Sequence, residues 1–420
     1  MSAVMRLSDG EITLADWLLD PPGPDELDEF GCYSHDSIIE LEAHLIASVE
    51  EDLDRLGEPA ATVVSMVPDD RWLLISSIQK AIRFGLPDHA AWVASQLYAL
   101  DRKALHRRLG VIAIEDVLAG DPLATAQALA VLGAMDWRRA KGEERVYCWL
   151  ARRLAEADGD RSAAELLDAA HSDPRVDFDA LDHMDDESLC RIVADPGQPF
   201  ALRSAVANLL AGPRFALGKI PKTPRSPTRL FRLLVEMGTT RWGCYVAAKT
   251  ASLVRDPMWV EISIIDRWLR DGTRTIVPGP DFPKPMSGGV LAAALDKHTR
   301  PGLQALRQYS KLPQLSRILA GVDPEQRKDA LQLGAFYGEG GVVATRVVYT
   351  PESQEVYDWI RVGPEFVRWR RPELAPELIP AIRHSLDELN EIRRQVFERT
   401  VRGADHAARN LGEIGEEEAR

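Results

Sequence analysis

The sequence predicts a mainly α, multi-helical protein with one small β element. Apolar residues return at steps of three and four along most of the chain, the spacing of a helix with one buried face. Clusters of Gly, Pro and Asp interrupt that pattern at helix-sized intervals. The strand signal is Val342–Tyr349 (VVATRVVY), which follows the flexible Gly338-Glu339-Gly340-Gly341. A composition 45% hydrophobic and 28% charged over 420 residues fits a globular protein of two or three domains with a sizeable core.

Ser37 opens the first predicted helix, with Glu40 three residues on to complete a capping box. Ile38, Leu41, Leu45, Val49, Leu53 and Leu56 form its apolar stripe, and Glu42, Glu50, Glu51 and Asp54 its solvated face. Asp69-Asp70 marks the next start. Helices are expected over 71–84, 88–100, 102–118, 123–136 and 143–156. The breaks fall at Gly85-Leu86-Pro87, Asp101, Gly120-Asp121-Pro122 and Lys141-Gly142. Shorter helices follow at 161–170, 186–194 and 199–211. Pro213, Pro221, Pro224 and Pro227 then make an extended connector. Helices resume over 228–237, 241–254 and 258–270. After a second irregular stretch around Gly279 to Gly289, residues 291–319 are helical with a break near Pro301. The strand at 342–349 is expected to pair with Ala335–Tyr337, and a long helix spans 374–400. The chain so divides into an acidic segment at 1–70, a helical domain at 71–212, a basic connector at 213–227, a helical C-terminal domain at 228–402 and a polar tail at 403–420.

The net charge of −14 opposes indiscriminate binding to nucleic acid. The charge is uneven, however. Between Asp9 and Glu58, Arg55 is the only Lys or Arg, whereas Pro196 to Val235 and Lys297 to Val322 contain no acid. No apolar run is long enough for a membrane span, and the N-terminus lacks the pattern of a secretory signal. Cys32, Cys148, Cys190 and Cys244 form no CxxC pair, which suits free thiols in the cytoplasm rather than zinc or disulfides. No metal or cofactor is expected.

Arg214, Lys219, Lys222, Arg225, Arg229 and Arg232 could track a phosphate backbone, with Phe215 and Phe231 stacking on bases. The competing expectation is a solvated loop, or one docked on the acidic N-terminal region. Asp296, His298 and Arg300 form the densest polar cluster, in which Asp could orient His and Arg could hold a phosphate oxygen. The alternative there is that Asp296 or Thr299 caps a helix at Pro301. The acids from Asp177 to Glu187 lack the Gly of a calcium loop and are expected to be a solvated, helix-capping loop.

The blocks Leu74-Ile75-Ser76-Ser77-Ile78-Gln79-Lys80-Ala81-Ile82-Arg83, Pro87-Asp88-His89-Ala90-Ala91-Trp92-Val93-Ala94 and Arg107-Arg108-Leu109 occur in order. They are followed by Ile112-Ala113-Ile114-Glu115-Asp116-Val117 and Asp121-Pro122. In order and spacing they resemble the helical C-terminal region of the RarA/MgsA family of replication-associated AAA+ ATPases, over about 72–170. Gly142-Glu143 and Ser226-Pro227-Thr228 extend the likeness weakly. Two features depart from the family. No GxxxxGK[ST] phosphate loop occurs, and Asp158-Gly159-Asp160-Arg161 replaces an Asn-bearing motif. The resemblance implies the family's collar, which self-associates, without its motor. Lys80, Arg83, Arg107 and Arg108 would face a partner or form internal ion pairs with Glu115 and Asp116.

These observations favour a non-enzymatic adaptor in DNA replication, recombination or repair, acting as a homo-oligomer with a replication or repair partner and at most weak DNA contact. Two other classes compete with it: an enzyme on a phosphate-bearing substrate using Asp296, His298 and Arg300, and an acidic inhibitor or decoy of a mobile element.

Overall fold

Aspartates start several helices at the predicted places. The computed structural model describes residues 4–7, 10–56, 70–212, 225–281, 283–287, 289–361, 363, 366 and 371–417. Asp70 caps the Arg71–Arg83 helix by accepting the amides of Trp72 at 2.9 Å and Leu73 at 3.2 Å. Asp121 caps Pro122–Gly133 through Ala124 N at 2.9 Å. Asp101 is extended (φ −153°, ψ 83°) inside Pro87–Ile112, and its carboxylate accepts the Ala104 amide. One residue thus ends one helical stretch and caps the next. The first long helix departs from expectation. It runs from His35 to Leu56, and Ser34, not Ser37, caps it, since Ser34 Oγ accepts the Ser37 amide at 3.1 Å. The last long helix is two, Leu374–His384 and Leu386–Glu417, separated at Ser385.

The fold is mainly helical, as predicted, with three two-stranded ladders among the described residues where one small β element was expected. The strand Thr345–Val348 forms, but it pairs antiparallel with Thr275–Pro278, in the register Thr275↔Val348 to Pro278↔Thr345. Ala335 to Tyr337 cannot be its partner because they belong to the end of the Arg327–Ala335 helix and the π turn Phe336–Gly340. Two further ladders, Val4–Leu7 with Gly10–Thr13 and Met286–Ser287 with Val290–Leu291, are too short to show a period in the sequence. No helix among the described residues is long and apolar enough to cross a membrane. All four cysteines are free.

Two apolar cores form, and neither follows chain order. The first joins the buried faces of the 71–83, 87–112 and 143–156 helices to Val290–Leu295, Leu306, Tyr309 and the C-terminal residues from Phe366 to Phe397. The second joins Leu14 to Tyr33 with apolar residues of 163–211 and 230–268. The 35–56 helix spans both: Leu41 and Leu45 enter the second core, Val49 and Leu53 the first. The apolar positions of the 71–156 helices are therefore covered largely by the same chain. Leu74, Ile78, Ile82 and Ile112 are buried, while Trp72, Leu100 and Met135 stay exposed.

Candidate functional site

Two π turns bring charge to the junction of the 71–112 helices and the C-terminal elements. The 87–112 helix passes directly into the π turn Ala113–Val117, which stops at Leu118 with φ +36°. A π turn takes one residue more per turn than an α turn. Here the adjacent acids Glu115 and Asp116 both reach Gln79 Nε2 of the 71–83 helix, each at 3.1 Å. The second π turn, Phe336–Gly340, supplies a phenyl ring, the Glu339 carboxylate and a backbone carbonyl. Such turns recur at functional sites.

Arg83 is buried between these two turns. Its Nε donates to Asp116 at 2.8 Å, Nη2 to Glu115 at 2.8 Å and Nη1 to the Gly340 carbonyl at 2.7 Å. Arg161 donates to Asp116 from the other side. Burial opposes ionisation of Asp116, but the two guanidiniums outweigh it and hold the carboxyl below its usual range. Asp296 completes a second knot, accepting from Ser76 Oγ at 3.0 Å, Lys80 Nζ at 3.0 Å and the His298 amide at 2.9 Å. Burial again pushes its carboxyl up, and Lys80 leads the groups that bring it below the ordinary value. Burial lowers the Lys80 ammonium against the attraction of Asp296. Arg393 of the last helix binds Glu339 at 2.8 Å and the Leu295 carbonyl at 3.1 Å. Lys297 lies 5.0 Å from the Phe336 ring centre, in reach of a cation–π attraction. These groups surround a cleft of about 240 Å³.

Of the residues singled out in the sequence, the cleft unites Lys80, Arg83, Arg108, Asp296 and His298. Lys80 and Arg83 are buried and paired inside the chain. The acids at 115 and 116 pair with Arg83 and Arg161, not with Arg107 and Arg108. Seven residues of helix separate Arg108 from Glu115 by roughly 10 Å, whereas Arg83 approaches from the neighbouring helix. Among the described residues, Arg108 donates to Gln79 Oε1, at 3.4 Å. Arg107 is exposed and lines a different cavity.

Among the described residues, no hydrogen bond joins the side chains of Asp296, His298 and Arg300. Asp296 takes the backbone N–H of His298, not its ring. Arg300 is exposed in the first turn of Arg300–Tyr309. Thr299 caps that helix through Gly302 N at 3.1 Å. A glycine is needed at 302, because a Cβ there would lie 2.0 Å from the Asp296 carbonyl oxygen. Partial loss of solvent pulls the His298 imidazole below its ordinary value, so the ring is neutral near pH 7.

The basic window meets acids that are close in space. Arg225 is buried and binds Asp182 at 2.7 Å and Asp186 at 3.0 Å. Arg229 binds Glu187 and Glu236, and Arg232 binds Glu236. The acidic loop of 177–187 is thus a counter-ion for this segment as well as a source of the caps Asp177 and Asp185. The acidic N-terminal helix instead sends Glu42 to Lys249 and Glu50 to Lys141. Phe231 stacks on Trp259 with ring centres 4.6 Å apart, so its face is used inside the protein. Arg214, Lys219, Lys222 and Phe215 lie outside the described residues.

Sequence reasoning missed Phe336 and Arg393, which line the cleft, and Arg161 and Glu339, which pair with Asp116 and Arg393 beside it. A signal existed for Arg393. It stands four residues after Leu389 and three before Val396, at a position where the apolar stripe calls for a hydrophobe. Nothing comparable marks Arg161 or Glu339. The chain matches no protein-family model, no curated protein and no solved structure.

Proposed function

We propose that the chain is a non-enzymatic accessory protein of DNA replication, recombination or repair, acting through self-association and partner binding. The setting comes from the resemblance of residues 72–170 to the RarA/MgsA collar. The observation that carries the non-enzymatic part is the saturation of Asp296. A carboxylate already bound by Ser76, Lys80 and the His298 amide, with its proton affinity lowered, is a weak general base. Asp116 is likewise tied to two guanidiniums. Charges turned on one another in this way fix the 71–83 helix to the 290s, the 336–340 turn and the last helix. They hold a surface in place instead of transforming a substrate. The exposed Trp72, Leu100 and Met135 offer apolar contacts for self-association. The test is deletion of the gene in its native host, followed by a challenge that stalls replication forks. The expected result is reduced survival, restored by the wild-type chain; survival equal to that of the parent strain contradicts the proposal.

A further inference from the structure

A second cavity, of about 420 Å³, opens beside the later part of the 87–112 helix, the Met135–Ala140 helix and the π turn Thr250–Val254. Arg102, Lys103, Arg107, Arg138, Arg139 and Arg255 line it. Glu143 is the one carboxylate in that lining among the described residues. In a chain of net charge −14 this concentration of cations runs against the overall balance.

The local sequence explains how the cations gather. Asp101 restarts the helix, after which Lys103, His106, Arg107 and Gly110 follow at helical spacing on one face. Gly110 leaves room for Val254, whose Cγ2 would lie 3.3 Å from a Cβ at that position. The π turn then ends at Arg255, a non-glycine residue held left-handed at φ +60°. Strain of this kind persists where surrounding structure fixes it and clusters at ligand sites.

The cations are under-paired. Glu143 is shared between Arg102 at 2.9 Å and Arg138 at 3.6 Å. Arg139 meets only the exposed Asp136, at 3.7 Å. Lys103, Arg107 and Arg255 have no carboxylate partner among the described residues. Arg138 is buried and donates through Nη1 to the Val131 and Leu132 carbonyls, while its Nε faces Glu143 Oε1 at 3.6 Å, beyond hydrogen-bond distance.

We propose that this cavity binds a ligand carrying clustered phosphate groups. Phosphate oxygens supply several acceptors and negative charge at one place, and guanidinium forks match their geometry. A free nucleotide and a phosphorylated nucleic-acid end share that chemistry. The proposal does not rest on the function proposed above.

The probe is inorganic tripolyphosphate, titrated calorimetrically into the full chain, the Arg107→Gln/Arg255→Gln double variant and an Arg300→Gln control. All the altered side chains are exposed, so folding is preserved. Binding by the wild type and the control, weakened by about tenfold or more in the double variant, is expected from the loss of charge-assisted hydrogen bonds. No binding by the wild type, or equal binding by all three proteins, overturns the proposal. Competition by ATP assigns the ligand to free nucleotides. Competition by a 5′-phosphorylated oligonucleotide, and not by its unphosphorylated form, assigns it to nucleic-acid ends.

Discussion

Arg107 and Arg108 are neighbours in sequence and line different cavities. The cleft around Arg108 and the basin around Arg107 are both rich in cations, yet they differ in pairing. In the cleft, Arg83, Lys80 and Arg393 each meet a carboxylate within 3.0 Å and so occupy its acids, while Arg108 is held by Gln79 Oε1 at 3.4 Å. In the basin, Glu143 and the exposed Asp136 face six cations. Charge density therefore does not separate a structural site from a binding site; the presence of counter-charges does. Paired charges raise the cost of breaking the fold, whereas unpaired ones leave capacity for a ligand.

The largest expected effect comes from breaking the paired site. Arg83→Ala removes partners from Glu115, Asp116 and the Gly340 carbonyl at once, and leaves the buried Asp116 under-compensated. Loss of one member of a buried ion pair costs roughly 3–5 kcal/mol. Urea unfolding at pH 7 measures it, and a loss below about 1 kcal/mol would show that the network holds nothing together.

A second experiment contrasts paired and lonely carboxyls. Asp116 is held below its ordinary 3.8, so its contribution is complete above that value and is lost as pH falls through the lower folded one. Glu261 is buried with Ser204 Oγ as its hydrogen-bond partner at 2.6 Å, and burial pushes it up to about 8. From its ordinary 4.5 to about 8 the folded chain keeps a proton that the unfolded chain has released, so stability falls as pH rises across that window. Glu261→Gln is expected to flatten the decline, read as thermal midpoints between pH 5 and about 8. An unchanged slope would remove Glu261 as its source.

These contrasts show where the sequence was legible. Asp70, Asp101 and Asp121 announced helix starts because capping is a local event between a side chain and amides two or three residues on. The strand at 345–348 was visible in its β-branched residues. Its partner at 275–278 was not, since pairing across some seventy residues leaves no local mark. The same limit hid Arg161, Glu339 and Arg393 beside Lys80 and Arg83. The sequence offered Lys80, Arg83, Arg107 and Arg108 as partners for the acids at 115 and 116, the last two being nearest in the chain. The π turn and the 71–83 helix gave them Arg83, from thirty-odd residues away. The basic window at 225–232 looked open in sequence because its counter-ions, Asp182, Asp186 and Glu187, stand forty residues earlier.

The smallest expected effect on stability sharpens the comparison from the other side. Arg107→Gln/Arg255→Gln removes exposed charges that support no pair, so its unfolding free energy is expected to stay within about 0.5 kcal/mol of the wild type. A loss comparable to that of Arg83→Ala would place these cations in the scaffold.

The most direct test uses the two adjacent arginines. Tripolyphosphate is titrated into Arg107→Gln and Arg108→Gln under one buffer and salt condition, which holds the charge change and sequence neighbourhood constant. The expected result is a dissociation constant raised about tenfold in Arg107→Gln and within about twofold of the wild type in Arg108→Gln. Equal weakening by both substitutions, or a larger loss at Arg108, would contradict the assignment of binding to the under-paired basin.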